Sequence, residues 1–440
     1  MHTPKLVVIE LNEINFSIVK DYIKYNKSKF PNLKKIIDKF KFIETFSEQE
    51  YKLLEPWIQW TSAHTNKEYK EHEIFRLGDS SNKTFKYKQI FEQLEKNGEY
   101  VGAISPMNSI NRMSNPSYFI PDAWTQTNSD NSKLSKKITK MLQQTINDNT
   151  SNKIDASSLF TLIEIFFRTF HIRKSISLVF LILKALINPW LRSLVLDNII
   201  HLVHLHYIKN NKPTVTFCFF NAGAHIQHHY MLNSPFVEKS NSNPEWYIKN
   251  KYDPMEDMLS FYDGIIQDYL NLIGDNGKII ISTGLSQTPY DRVKFYYRIK
   301  NHKEFLEKLN IKFENVYPRM TRDFEIIFKN QDDQNEAIKK LSSVKMKKNS
   351  LKIFGEIESR NKSIFITLNY PNEIKKEDIV IFKDTELVNF YDDILFVAIK
   401  NGMHSSKGYI YMSKKIDYPN KNESIHIKEL YNVILAASAN

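Results

Sequence analysis

Short unbroken apolar runs alternate along the chain with stretches in which apolar positions recur every three or four residues. Leu6–Ile9 is such a run, within a buried-strand stretch Leu6–Leu11, and residues 15–25 and 33–40 follow it with helical spacing. Residues 87–96 read as an amphipathic helix that Gly98 ends, and 100–104 as a strand. A polar Asn/Ser/Lys-rich stretch at 127–153 precedes a helical block at 156–210, after which Pro213 opens a second strong strand at 214–220. Asp253 and Pro254 begin a helix whose Met255, Leu259, Tyr262, Ile266, Tyr269 and Ile273 share one face; the turn at 274–277 leads into the strand Lys278–Ser282. Strand, helix and strand joined by short glycine turns predict a parallel sheet covered by helices.

From 302 the rhythm changes. Short helices at 303–309 and 334–342 lie between strands at 324–328, 351–357 and 363–368, which predicts an inserted α+β subdomain. Strands resume at 395–399 and 408–412, and a helix at 427–437 follows. The expected organisation is an α/β core in three parts, 1–126, 213–301 and 389–440. Residues 127–212 form a polar linker and helical insertion, and 302–388 the small subdomain.

With 440 residues, 42% hydrophobic and 25% charged, the chain has the composition of a globular protein with a large core, not of a disordered tail, a collagen-like rod or a polytopic membrane protein. The single cysteine, Cys218, excludes a disulfide-stapled scaffold and a cysteine-rich zinc cluster. Net charge is +11, yet only ten of the 61 basic residues are arginine and the lysines are spread throughout. Specific phosphate and guanine readers use the bidentate arginine fork, so no nucleic-acid partner is expected. The first residues lack a charged segment followed by a long apolar one, which predicts a cytoplasmic protein. The most apolar stretch, 176–187, is too short to span a bilayer and contains Lys184. It reads either as a buried helical hairpin or as a basic helix on a membrane surface, the latter giving peripheral contact through 156–205.

In a doubly wound sheet the ligand site lies beyond the carboxyl ends of the strands. The residues found there are Glu10, Asn12 and Glu13; Asn221 to His225; Thr283 and Gly284; and Met403 and His404. Two clusters add to them. Around Glu55 and Pro56, the residues Trp57, Trp60 and His64 share a helical face beside Thr61 and Ser62. In the second cluster His225, His228 and His229 lie within five positions, with His225 and His229 spaced to put two ligands on one side of a helical turn. For Trp57 and Trp60, core packing and a substrate-stacking wall are both open. Glu55 is either an acid/base group or a helix cap, and Thr61 and Ser62 are either a nucleophile or surface hydroxyls. His201, His204 and His206 read as packing residues.

In this order the segments resemble the alkaline phosphatase superfamily, most nearly its type I phosphodiesterase/nucleotide pyrophosphatase branch. The matching stretches are 7–15 with Phe30-Pro31-Asn32-Leu33, 55–74 with Thr65 and His72-Glu73-Ile74, 219–225, 253–284 and 402–409. The resemblance implies an alkaline-phosphatase-like α/β fold with a mostly parallel central sheet, helices on both faces, a helical insertion and a small α+β subdomain. It also implies a two-metal site for ester chemistry, because cations neutralise phosphoryl oxygens and lower the pKa of a bound hydroxyl. Carried over by position, one metal site falls on Asn221, His225 and His404 and the other on Asn12, Pro56, Thr283 and Gly284. The second has lost its acidic and imidazole ligands, and Asn replaces Asp in the first. The pattern Glu10-Leu-Asn-Glu13 with Asn221 to His229 is similar to one in bacterial proteins, so the replacements mark a subgroup.

Two functions are therefore expected as alternatives. One is an enzyme hydrolysing or transferring a phosphate or sulfate ester on a small molecule or glycan, with at most one divalent ion, zinc or manganese, on Asn221, His225, His404 and His229 or Glu10. Its catalytic candidates are Glu10, Asn12, Glu55, Thr61 and Thr283, with Trp57, Trp60, His64 and His228 contacting substrate. Without a metal, Glu10, Glu13 and Glu55 would do acid/base work with His225 and His404. The other is a catalytically degenerate binding protein for a phosphorylated sugar or lipid-linked glycan.

Overall fold

The computed structural model describes residues 2–78, 86–147, 156–169, 172–238, 241–274, 277–319, 322–383, 385–387, 389–419 and 423–439. In chain order the elements begin β1 (Leu6–Leu11), α1 (Phe16–Tyr25), α2 (Pro31–Lys39), β2 (Lys41–Phe46), α3 (Pro56–Thr65), α4 (Tyr69–His72), α5 (Ile90–Lys96), β3 (Val101–Ile104) and β4 (Tyr118–Ile120). The helical block supplies α6 (Lys133–Asn147), α7 (Ala156–Arg168), α8 (Ile172–Ile187) and α9 (Leu191–Asn211). Then come β5 (Val215–Phe220), α10 (Ala222–Tyr230), α11 (Pro254–Ile273), β6 (Lys278–Ser282) and β7 (Ser286–Ile299). They are followed by α12 (His302–Lys308), β8 (Asn315–Pro318), β9 (Asp323–Ile327), α13 (Gln331–Ser343), β10 (Lys345–Met346), β11 (Glu358–Arg360), β12 (Ser363–Thr367), β13 (Val380–Phe382) and β14 (Thr385–Leu387). The chain closes with β15 (Ile394–Ser405), β16 (Lys407–Met412), β17 (Ser424–His426) and α14 (Leu430–Ala439). Parts of the expected polar stretch (148–153) and glycine turn (275–276) lie outside the described residues.

Contacts divide the chain into two compact units. The first, Met1–Glu238, Lys249–Pro289 and Gly402–Asn440, is built on an eight-stranded sheet in the order β17-β2-β16-β6-β1-β5-β3-β4. Strands β6, β1, β5, β3 and β4 are mutually parallel, and β16 alone runs against its neighbours. Strands β1, β5 and β6 are buried along their whole length, as parallel strands covered on both faces must be, and this explains their near-continuous apolar sequences. Strand β2 alternates exposed and buried positions, so its pattern was too weak to stand out in the sequence.

The second unit, Lys239–Ile248 with Tyr290–Asn401, is α+β, with a four-stranded sheet β11-β12-β9-β8 and a three-stranded sheet β10-β13-β14. It takes in more chain than 302–388 because Phe295, Tyr297, Ile394 and Ile399 pack into its core. The strand expected at 351–357 is absent. Only isolated bridges form at Lys352 and Phe354, because adjacent Ile353 and Phe354 both turn into the core, which a one-sided strand cannot do.

In the first unit, α2 starts at Pro31 with no side chain capping it from Phe30. Its open N–H groups are met from α11 instead: Asp263 Oδ1 accepts from Asn32 N at 2.9 Å and Leu33 N at 2.8 Å, and Oδ2 accepts from Asn32 Nδ2 at 2.8 Å. The six α11 residues expected on one face are all buried. A buried carboxylate bonded to a helix start joins the two helices, and removing it strands three donors. Asp263→Ala is expected to lower the unfolding free energy by about 2–4 kcal/mol in urea titration, with a smaller loss for Asp263→Asn. A loss below about 0.5 kcal/mol would show that water replaces the carboxylate without cost.

Candidate functional site

Strand β1 delivers Asn12 and Glu13 to the rim where the parallel strands end. Glu13 leaves the strand in the left-handed region at φ 62°, a conformation costing about 1–3 kcal/mol in a residue with a side chain. The backbone is fixed on both sides of that residue. Its N–H donates to Thr283 O at 3.0 Å, and its carbonyl accepts from Gln227 Nε2 at 2.8 Å.

The Glu13 carboxylate is buried and gripped by amides. Asn12 Nδ2 donates to Oε1 at 3.1 Å, and Gln287 Nε2 donates to Oε2. The same Oε2 lies 3.1 Å from His228 Nε2 and 3.2 Å from His404 Nε2, and the two imidazole nitrogens are 3.2 Å apart. Burial alone would push the Glu13 carboxyl up, but His404 and His228 overcome it and hold it well below the usual carboxylate range.

Helix α10 brings His228, and the end of β15 brings His404. Gly402 lets that strand pass close: a Cβ there would collide with Gln287 Oε1 and lie 2.8 Å from the Gln227 carbonyl. Its own carbonyl is 3.2 Å from His228 Nδ1. A carbonyl only accepts, so Nδ1 carries a proton; the ring that holds the Glu13 carboxyl down carries a second proton on Nε2, and once that proton leaves, Nε2 presents a lone pair towards Glu13. On the other ring, His404 Nδ1 lies 3.6 Å from Glu55 Oε2, a carboxylate that favours the same tautomer. Two lone pairs and a carboxylate oxygen then meet with edges of 3.1, 3.2 and 3.2 Å. In a tetrahedral zinc shell with bonds of about 2.0 Å, ligand atoms are about 3.3 Å apart, so this donor set fits a cation. Glu13, His228 and His404 are a group able to hold a metal ion among the described residues.

The start of α10 is secured from α9. Asp197 accepts from Ala222 N at 2.9 Å, Asn221 N at 3.3 Å and Tyr262 Oη at 2.8 Å. Burial raises its carboxyl to about 6 despite these three donors.

The other residues singled out from sequence fall in different places. Asn221 joins the centre indirectly, its Oδ1 accepting from Asn12 Nδ2 at 2.8 Å. His225 and His229 lie outside the three-residue group but beside it, with ring centroids 4.7 Å apart and His229 6.2 Å from His228. Glu55 makes no cap bond to α3; its carboxylate faces His404. Glu10 is buried and paired with His64 at 2.7 Å, and His64 Nδ1 meets Ser109 Oγ at 2.9 Å. Trp60 is buried with its indole N–H on Asn12 Oδ1 at 2.8 Å, while half-buried Trp57 donates to Phe75 O. Thr61 Oγ1 donates to Trp57 O, Ser62 Oγ contacts Ile58 O and His72, and Thr283 Oγ1 accepts from Tyr409 N. Gln227, Gln287 and Asp197 were not singled out. Gln287, within an unremarkable strand, gave no sequence signal, whereas Gln227 sits inside the histidine cluster.

No protein-family profile matches the chain, and no curated sequence does. Among solved structures it is similar to phosphonoacetate hydrolase from Sinorhizobium meliloti 1021 in complex with phosphonoformate, at 11% identity and a TM-score of 0.44 over 99% of this chain and 96% of that one. It is also similar to human ectonucleotide pyrophosphatase/phosphodiesterase 5, at 11% identity and 0.42 over 99% and 95%. A third is the alkaline phosphatase PafA, at 13% identity and 0.40 over 98% and 95%. Identities and TM-scores this low carry no argument about this chain's family or chemistry.

The raised Asp197 carboxyl sets the sign of a pH effect. A carboxyl that titrates near 6 when folded and near 4 when unfolded binds more protons in the native state between those values, so its contribution falls as pH rises from about 4 to about 6 and is flat above. Relative to wild type, Asp197→Asn is therefore expected to gain about 2–3 kcal/mol of stability across that window, read from urea titrations at a series of pH values. Parallel curves for the two proteins would refute the assignment.

Proposed function

We propose that this chain hydrolyses or transfers a phosphate or sulfate ester at the strand-end rim, with one divalent cation held by Glu13, His228 and His404. The observation that carries the reading is the meeting of one carboxylate oxygen with two imidazole nitrogens, each ring's Nδ1 directed at an oxygen. The motif order described above supports the ester class.

A cation bound there supplies Lewis-acid polarisation of an ester oxygen. The chain's own groups do the rest. Asn12 and Gln287 hold Glu13 in place, and Glu55 orients His404 through Nδ1. His225, on the same helix as His228, has its imidazole pulled down to about 4 by desolvation and then by His228, so at neutral pH it stands uncharged beside His229 as a proton acceptor. Asn12 and Asn221 bring amides where carboxylates would repel an anionic ester.

A second reading has its own support. The hydroxyls of Thr61, Ser62 and Thr283 are buried and engaged with backbone or His72, which leaves these candidates poorly placed to attack an ester. That favours a protein binding a phosphorylated sugar or lipid-linked glycan without turnover.

Metal analysis with zinc and manganese titrations, combined with hydrolysis of p-nitrophenyl phosphate and sulfate, separates them. One ion per chain is expected, with affinity falling by about a hundredfold or more in His228→Ala and His404→Ala. His225→Ala is expected to keep the ion and lose about 10²–10⁴ in kcat. Equal residual rates in wild type and His225→Ala, with ligand-induced thermal shifts retained, would select the binding reading. Absence of any ion at millimolar zinc would remove the metal.

A further inference from the structure

Twelve of the 25 large hydrophobic side chains exposed among the described residues fall between Leu159 and Ile187, on α7 and α8. On α7, Phe160 is 71% and Phe167 70% exposed; on α8, Leu186 is 71% and Ile187 81% exposed, with Phe180 and Leu183 exposed before them. Helical geometry gathers these positions on one side of each helix. The opposite side of α8 carries buried Ser175, Leu178 and Ala185 and packs on α9. Both sides of α8 are thus apolar, which explains why the segment reads as uniformly hydrophobic. Patches this concentrated are uncommon on a solvated surface without a partner.

The charge around the face has one dominant sign. Helix α6, packed on α7, carries Lys133, Lys136, Lys137 and Lys140, all exposed, and no acidic residue. Lys184 and Arg192 are exposed at and just beyond the end of α8, and Glu164 is the one acid on α7 and α8, already shared by Lys137 and Arg168. A hollow lined by Lys137, Lys140, Ser158, Phe160 and Thr161 sets cationic, hydroxyl and aromatic groups together at the border between the lysines and the apolar face.

We propose that this face seats on an anionic lipid bilayer, with α7 and α8 lying in the interface plane, their exposed apolar side chains at the acyl boundary and the flanking cations at the headgroups. Helix α8 has 16 residues, about 24 Å at 1.5 Å per residue against a hydrocarbon core of about 30 Å, and no helix among the described residues is long and apolar enough to cross a membrane. An orientation along the surface meets both facts. Pairing with a second copy is disfavoured by charge, because a two-fold contact sets like-signed cations on both rims.

The test is flotation of the full chain with vesicles of phosphatidylcholine alone and of phosphatidylcholine mixed with phosphatidylglycerol, with light scattering of the lipid-free protein. Binding to the mixed vesicles, weakened by high salt and absent from the neutral ones, is the expected result. Phe180→Glu with Leu183→Glu is expected to lower the bound fraction by about tenfold or more, and Lys140→Glu with Lys184→Glu by about fivefold or more. Both pairs lie in solvent, and an unchanged melting temperature verifies their folding. Failure of the wild type to float, or equal binding by the wild type and both variants, overturns the proposal. A dimer dissolved by Phe180→Glu with Leu183→Glu, without flotation, overturns it in favour of self-association.

Discussion

Glu13 holds two imidazoles on one carboxylate oxygen from a backbone conformation that a side-chain-bearing residue rarely takes. Both costs, strain and burial of a charge, must be offset locally. The neighbouring chain shows how: Gln227 and Thr283 fix the backbone, Asn12 and Gln287 bond the carboxylate, and Gly402 clears the space for the strand carrying His404. Four separate stretches of sequence are committed to one carboxylate. A residue needed only for packing would not require a left-handed backbone or three amide side chains, so strain and polar satisfaction identify this rim as the place the fold was arranged around.

Burial separates this centre from others with similar composition. Ser109, His64 and Glu10 form a hydroxyl–imidazole–carboxylate line with contacts of 2.9 and 2.7 Å, the residue types of a nucleophilic triad. All three are sealed in the core, so no substrate reaches them. Ser62 and His72 make a second such pair at 3.1 Å, and burial holds the His72 imidazole down at about 4. His201 and His204, bonded to Asp268 and to Tyr269 and Thr216, belong to the same closed class. In these sites each ring nitrogen is answered by a single partner. At the rim, two rings and a carboxylate compete for one point, a competition that the proposed cation would resolve.

The parallel core was legible because burial on both faces leaves little polar alternation to confuse the reading: the apolar runs Leu6–Ile9 and Ile279–Ile281 lie within β1 and β6. The half-exposed β2 and the two-residue-scale bends at Ile353 and Phe354 were not, since their side chains answer to tertiary neighbours rather than to a local period. The rim was legible for the same reason as the core, since the residues after each buried run must lie there. Which of them meet was not. Choosing His228 over His225 depends on the helical phase of α10 relative to β15, and the contribution of Glu13 depends on a single positive φ. Neither quantity has a sequence period.

Charge gives the centre its remaining logic. Glu13 is the one carboxylate in the three-residue group, and Asn12 and Asn221, linked to each other at 2.8 Å, are neutral where a two-ion site needs anions. A second cation would sit near the first with too little negative charge to separate them, and that repulsion is large at short range in a partly desolvated site. A single divalent ion is half neutralised by Glu13, and the two imidazoles add none. If the proposed ion is bound, one unit of positive charge would be left facing the rim, where an anionic ester would approach amides instead of carboxylates. On the proposed reading, the neutral amides of Asn12 and Asn221 and the gathering of Glu13, His228 and His404 fit together as a site whose charge would balance one cation.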